Sequence, residues 1–159
     1  MGFVTEGLFK SDEEAAAWNQ SEIVGFKQYA GDIKFADLDK DGKITRGENT
    51  VGDPGDMKII GNSTPRYNFG LRGTAEYKGF DLTLFFQGTM KRDIIPSSTF
   101  YTAHYGSQWS VPQQMNYDYW REDNPDAFFP RARFNDDAIK QNQTRYMLNG
   151  AYIRCKQLA

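Results

Sequence analysis

The chain has 159 residues, of which 39% are apolar and 15% aromatic, and its mean hydropathy is −0.70. A chain of this length is about one domain long and can fill a modest core. The formal net charge of −2 comes without a basic block, which argues against nucleic-acid binding. One cysteine, Cys155, and one histidine, His104, exclude a disulfide framework and a Cys/His zinc site.

The first residues lack the basic and apolar stretches of a secretory signal peptide, so none is expected in this chain. No apolar run is long enough to predict a transmembrane helix. Strands of outer-membrane barrels are short and alternating, and this pattern does not exclude them.

The first predicted element is a short helix over residues 11–20. Ser11 is a suitable N-cap, and Glu14 stands three residues later, where it completes a capping box. Trp18 is the only large apolar side chain in this segment. The helix is therefore expected at the surface.

Residues 37–48, DLDKDGKITRGE, space oxygen-bearing side chains as a calcium loop does. They match the D-x-D-x-D-G-x5-E pattern, in which three short carboxylates converge on one ion. The glycine permits a sharp turn, and the final glutamate closes the site with both oxygens. Ile44 is expected to point inward as an anchor. The predicted calcium ligands are Asp37, Asp39, Asp41, the Lys43 carbonyl, Thr45 and Glu48.

The flanks of this loop do not predict helices. A short alternating segment, IKFAD, precedes the loop, and a glycine- and proline-rich stretch follows it. A calcium sensor needs two helices whose angle changes on binding, so the sequence favours a loop stapled by calcium. The alternative is a solvated acidic turn held by Asx-type hydrogen bonds.

Residues 66–89 alternate with period two on both sides of Lys78-Gly79, which predicts an antiparallel hairpin in which Tyr77 pairs with Phe80. Each strand reaches the roughly 9 to 11 residues that a membrane-spanning strand requires. A soluble β-sandwich hairpin alternates in the same way, so both interpretations stay open. The apolar face comprises Tyr67, Phe69, Leu71, Phe80, Leu82, Leu84 and Phe86; the opposite face carries Arg72, Glu76, Asp81 and Gln87.

Residues 90–147 show no sustained period, and their aromatic residues and prolines predict a long ordered loop. Four aromatic residues are candidates for contact with a sugar ligand or a partner, the alternative being packing within the loop. Residues 151–159 alternate again and predict the start of a strand, so the chain is expected to be a fragment. The candidate contact residues are Trp109, Tyr117, Tyr119 and Trp120.

Sequence signatures of catalysis are missing, including G-x-S-x-G, a glycine-rich phosphate loop and a metal-hydrolase histidine pair. Asp136 and Asp137 are a conceivable acid and base, but adjacent side chains in a loop point apart. Nothing in the sequence supplies surroundings that would separate their two pKa values. We therefore expect that the chain is not an enzyme.

Several segments, taken together and in order, resemble the C-terminal barrel portion of the SusC/RagA family of TonB-linked outer-membrane transporters. The resemblance covers nearly the whole chain, but no segment resembles the TonB box or the plug domain. The segments are EGLFKSDEEAAAW, GDIKFADLDKDGKITRGEN, KIIGNSTPRYNFGLRGTAEYKGFDLTLFFQG, YWREDNPDAFFPR and NGAYIRCKQL.

This resemblance implies a transporter in the outer membrane of a Bacteroidota bacterium that imports glycans or peptides. It also implies two partners, a SusD-like surface lipoprotein and the TonB complex. The expected fold is mainly β: antiparallel strands of an outer-membrane β-barrel segment, with long loops, one short helix and calcium as candidate cofactor. The alternative is a soluble, calcium-stapled β-rich module that binds carbohydrate or protein.

Overall fold

A computed structural model of the protein describes residues 1–96, 105 and 109–159. His104 and part of the predicted loop 90–147 lie outside the described residues. The described residues are mainly β, with antiparallel strand pairs and few helices. The strands are β1 (Gly2–Phe3), β2 (Thr5–Leu8), β3 (Ile33–Phe35), β4 (Met57–Lys58), β5 (Tyr67–Tyr77), β6 (Phe80–Met90), β7 (Asp93–Ile94), β8 (Leu148–Asn149) and β9 (Tyr152–Leu158).

The helical elements are α1 (Asp12–Ala17), a 3₁₀ helix (Gln114–Tyr117) and α2 (Asp137–Lys140). In the part of the chain that the structure describes, every helix is too short or too polar to cross a membrane.

The chain divides into two compact units. Met1–Ile60 and Pro96–Tyr146 form the first, here called the core unit. Gly61–Ile95 and Met147–Ala159 form the second, here called the hairpin unit.

Helix α1 begins after Ser11, whose side chain accepts a hydrogen bond from the Glu14 amide at 3.2 Å. Glu14 in turn accepts from the Lys10 amide at 2.9 Å, one residue before the position that a capping box would use. The helix ends at Ala17, earlier than predicted, because Trp18 is extended. The indole Nε1 of Trp18 donates to the Phe35 carbonyl at 3.1 Å, which directs this side chain toward β3.

The core unit joins the N-terminal residues of the chain to residues 142–144. The Phe3 amide donates to the Asn142 carbonyl at 2.8 Å, and the Thr144 amide donates to the Phe3 carbonyl at 3.1 Å. The ring of Phe129 stacks on Tyr105 and on Tyr146, with centroids 5.9 Å away in each case. The buried core comprises Phe3, Ile23, Val24, Ile33, Phe35, Ile44, Tyr105, Phe129, Ala138, Ile139 and Tyr146.

Part of the predicted long ordered loop over residues 90–147 contributes to this core. Several described side chains of this segment are buried in the interior, namely Tyr105, Ala127, Phe129, Ala138, Ile139 and Tyr146. Their spacing follows neither a helical nor a strand period, because residues 109–146 fold into turns, bridges and very short helices.

In the hairpin unit, β5 and β6 pair antiparallel from Tyr67–Met90 to Tyr77–Phe80, as the alternation predicts. The turn residues Lys78 and Gly79 both have positive φ, 49° and 84°, a combination typical of a type I′ turn. β9 pairs with β6 through a register shift at Phe85/Phe86. The resulting sheet has the order β5-β6-β9, and β7 pairs separately with β8.

Candidate cation site and aromatic surfaces

The acidic loop 37–48 is folded by its own side chains. Asp37 accepts hydrogen bonds from the amides of Lys40, at 2.6 Å, and Gly42, at 2.9 Å. Asp39 accepts from the Asp41 amide at 3.1 Å. These are the Asx-type hydrogen bonds of the alternative interpretation, and they hold the loop in one conformation.

Ile44 anchors this loop in the core unit, as predicted. Its side chain is buried, and its amide donates to the Asn19 carbonyl at 2.8 Å. The acidic loop is therefore attached to the same interior that contains β3.

Asp56 joins the loop although the sequence pattern does not include it. Its carboxylate is buried and accepts from the amides of Leu38, at 2.6 Å, and Thr45, at 2.8 Å. Carboxylate oxygens of Asp37, Asp39 and Asp56 all lie within 4.8 Å of one another. The third carboxylate of this cluster therefore comes from Asp56, eight residues after the predicted ligand Glu48.

Two glycines bring Asp56 back to the loop. Gly47 and Gly55 both have φ of 53°, and a Cβ on Gly55 would lie 2.5 Å from the Gly47 nitrogen. Only residues without side chains allow this close backbone crossing. Glu48 lies on the excursion between the two glycines; it is exposed, and its amide donates to Asp53 at 3.3 Å. The signal that sequence reasoning missed is the pair Gly47 and Gly55, because the glycine- and proline-rich stretch by its composition argues only against a helix.

The charges of the cluster favour a bound cation. The hydrogen bond from the Asp41 amide lowers the pKa of the Asp39 carboxyl. Desolvation and the negative charges of Asp56, Asp41 and Asp37 raise this pKa by more, so the net shift is upward. A hard divalent cation takes carboxylate oxygens and would remove this repulsion. Asp41, Lys43 and Thr45 lie beside the cluster in sequence, and Asp41 accepts from the Lys43 amide at 2.7 Å. The donor set fits calcium, with carbonyls and waters completing it.

The predicted aromatic contact residues do not form one surface. Tyr117 and Tyr119 line an apolar groove of about 510 Å³ together with Val111, Pro112, Ala132 and Phe134. Tyr117 is 65% exposed, whereas Tyr119 packs partly against the core. Trp109 is 86% exposed.

Trp120 lies instead on a second cavity of about 840 Å³, here called the acidic cleft. Its indole rests on Gly31, where a Cβ would lie 2.2 Å from the ring atom Cδ2. Gly31 also has a φ of 85°, so a larger residue at this position would be both strained and too close. The cleft carries the carboxylates Glu6, Asp12, Glu13, Glu122 and Asp126 and the cations Lys10 and Arg145.

Asp136 and Asp137 lie in very different surroundings. The side chain of Asp137 is exposed and pairs with Lys140 at 3.1 Å, whereas Asp136 is buried. Burial raises the pKa of Asp136 to about 6. The expectation that nothing separates the two pKa values is therefore wrong for Asp136, because the fold, not the local sequence, supplies the burial.

No protein-family model matches the chain. The chain is 32% identical over 125 residues to TonB-dependent receptor P3 of Formosa agariphila, an alignment that covers 79% of the chain and 11% of that receptor. It is 26% identical over 151 residues to TonB-dependent receptor P26 of the same organism, covering 94% of the chain and 14% of the receptor.

The chain thus spans only a small part of the length of these curated relatives. Proteins of this kind are transporters, not enzymes, and the relatives are outer-membrane proteins. We conclude that the chain is a distant homologue of part of the TonB-dependent receptors.

Proposed function

We propose that the chain is part of a SusC/RagA-type transporter that imports glycans or peptides across the outer membrane of a Bacteroidota bacterium. The observation that carries this proposal is the similarity to two TonB-dependent receptors over 79% and 94% of the chain. The order of its sequence segments supports the SusC/RagA type. The partners proposed are the TonB complex and a SusD-like surface lipoprotein.

The hairpin unit supports a place in a barrel wall. β5 and β6 each contain 11 residues, which is enough to cross the apolar layer of a membrane. Large apolar side chains on one face are left uncovered, among them Leu71, 64% exposed, and Phe80, 80% exposed. We propose that this face contacts lipid and that the face with Arg72 and Glu76 contacts the lumen.

Uptake by living cells tests the transport proposal. Cells that lack the receptor containing this chain should lose uptake of labelled glycans or of labelled peptides, and the intact gene should restore it. The class that is lost identifies the substrate. A surface lipoprotein should copurify with the receptor in detergent. Unchanged uptake of both classes would refute the proposal.

We also propose that calcium binds Asp37, Asp39 and Asp56, with Asp41, the Lys43 carbonyl and Thr45 as further candidate ligands. The convergence of three carboxylates supports this assignment, because a bound cation would offset the part of their mutual repulsion that the backbone amides leave. The bound ion would staple the crossing of Gly47 and Gly55 to the core unit. Glu48, the predicted closing ligand, is replaced by Asp56 in this proposal.

The calcium proposal predicts that Asp56→Asn weakens calcium binding at least about tenfold, which is about 1.4 kcal/mol. The asparagine keeps one acceptor oxygen but removes a charge and a ligand atom. Isothermal titration calorimetry of the 159-residue chain measures this change. Glu48→Gln is the matched control and should bind calcium as the unchanged chain does. A larger loss with Glu48→Gln would restore the predicted ligand order, and no heat from the unchanged chain would exclude the site.

A second candidate function is binding of carbohydrate or protein by the core unit itself. The apolar groove favours it, because Tyr117 and Tyr119 present aromatic surface beside an open cavity. Titration of the chain with glycans and with peptides, followed by tryptophan fluorescence, tests this function. Saturable binding without a requirement for the rest of a receptor would support it, and no response to either class would argue against it.

A further inference from the structure

Two carboxyl groups are buried beside one guanidinium in the core unit. Asp32 is 2% exposed and Asp136 is 1% exposed. Arg133 donates to both oxygens of Asp32, from Nη2 at 2.7 Å and from Nε at 3.3 Å. Asp136 has no salt bridge of its own among the described residues. When both carboxyls are ionised, the charge of Arg133 acts on both of them and that of Arg131 acts on Asp32, but Asp136 stays a buried carboxylate that shares its interior with a second one.

The bonds of Asp136 are to the backbone. Its carboxylate accepts from the Ala138 amide at 2.8 Å and so caps α2. Its own amide donates to the Tyr105 carbonyl at 2.7 Å. A protonated carboxyl retains an oxygen that can accept from the Ala138 amide. Protonation of Asp136 therefore keeps the hydrogen bond that caps α2 and removes the buried negative charge.

The titratable and charged groups that act on Asp136 are Asp32, Arg133 and Tyr105. Burial raises the pKa of Asp136 to about 6, and the charge of Asp32 acts in the same direction, although the amides of Ala138 and Ile139 and the charge of Arg133 oppose it. Burial also raises the pKa of the Tyr105 phenol, whose hydroxyl donates to the Pro130 carbonyl at 2.9 Å. Asp32 has a raised pKa as well, because burial outweighs its bonds with Arg133.

The segment that carries Asp136 is held to a turn near β3. The Arg131 amide donates to the Gly31 carbonyl at 2.8 Å, and the ion pair of Arg133 with Asp32 lies in the same turn. Asp32 closes this turn by accepting from the Tyr29 amide at 2.9 Å. The buried carboxyl pair thus lies where two distant parts of the chain meet.

We propose that Asp136 is a pH-sensitive latch of the core unit: uptake of a proton tightens residues 130–140 on the turn 29–32, and its release loosens them. The proton comes from solvent during brief openings of the segment. Protonation removes both the buried charge and its repulsion with Asp32, and it leaves the Arg133–Asp32 pair electrically balanced.

The direction of the pH dependence follows from the linkage between proton binding and closure of the segment. The carboxyl of Asp136 has a higher pKa when it is buried than when the segment is open, so the closed state binds more protons between the two values. The added stability is complete below the open-state pKa and is lost as the pH rises through about 6. Acidification from neutral pH therefore tightens this part of the fold.

Hydrogen exchange of the 159-residue chain, resolved by residue and corrected for intrinsic exchange rates, tests the latch. The opening constant at the amides of Arg131 and Ala138 should be about tenfold larger at pH 8 than at pH 5. Asp136→Asn keeps a capping oxygen without a charge and should remove this dependence. Asp137→Asn, a change at the adjacent exposed carboxyl, should keep it.

A direct titration of the Asp136 carboxyl carbon by NMR remains decisive if the asparagine variant does not fold. A midpoint near pH 6 in the unchanged chain supports the latch. A midpoint near the ordinary value of an aspartate, or the unchanged pH dependence in Asp136→Asn, would overturn it.

Discussion

Replacement of Leu84 by arginine is expected to destabilise the parent receptor by about 2–4 kcal/mol if β6 belongs to a barrel wall. Leu84 lies near the middle of β6, where it pairs with Gly73 on one side and with Leu158 on the other. On the proposed lipid face, a charge at this depth loses its hydration without gaining a partner. Urea-induced unfolding of the receptor in lipid vesicles measures the change.

Thr83→Arg is the matched control, because Thr83 adjoins Leu84 in β6 and points to the opposite face. Toward a polar lumen, arginine should be tolerated. Equal losses for the two variants would mean that neither face is distinguished by lipid, and the reverse order would show that the assignment of the two faces is wrong.

Phe129→Ala is expected to lower the free energy of unfolding of the 159-residue chain by about 3–5 kcal/mol. The ring of Phe129 is 1% exposed and contacts Tyr105, Tyr146 and Phe128. Truncation removes this buried apolar surface and leaves a cavity between the stacked rings. Denaturation by urea, followed by tryptophan fluorescence, measures the loss.

Tyr117→Ala provides the comparison within the same part of the sequence. Tyr117 is 65% exposed, so its truncation should change the free energy of unfolding by less than about 0.5 kcal/mol. Comparable losses for Phe129→Ala and Tyr117→Ala would mean that residues 105–146 do not supply the core as the structure shows.

The hairpin was predictable because its information is local. Alternation in β5 and β6 and the Lys78-Gly79 turn lie within one short stretch, and together they determine both the faces and the register. The short helix was predictable for the same reason, since Ser11 and Glu14 act within one turn. Its end was not, because Trp18 leaves the helix to bond with Phe35.

The acidic site was only partly predictable. Spacing identified Asp37 and Asp39, whose geometry is set by neighbouring residues. Spacing also selected Glu48, yet the carboxylate that reaches these two is Asp56. The calcium-loop pattern assumes that its twelve residues follow one another around the ion. It does not allow for residues 48–54, which leave the loop at Gly47 and return to it at Gly55.

The environment of Asp136 could not be obtained from sequence. Two adjacent aspartates in a polar stretch look equivalent, and what separates them is burial against residues far away in the chain, such as Asp32. The same holds for Phe128 and Phe129, one 40% exposed and the other buried. Non-periodic segments do not reveal which side chain of such a pair points inward.

The discontinuous makeup of the core unit has a consequence for the order of folding. The hairpin unit contains a two-residue turn, and such a hairpin closes in about 1–10 μs. The hydrogen bond between the Phe3 amide and the Asn142 carbonyl instead requires closure of nearly the whole chain. Contacts of such high sequence separation form slowly, so β5 and β6 should be paired before the N-terminal strands find residues 142–144. During synthesis, Phe3 and Phe35 therefore stay accessible to chaperones until the segment that completes the core unit, Pro96–Tyr146, has been made.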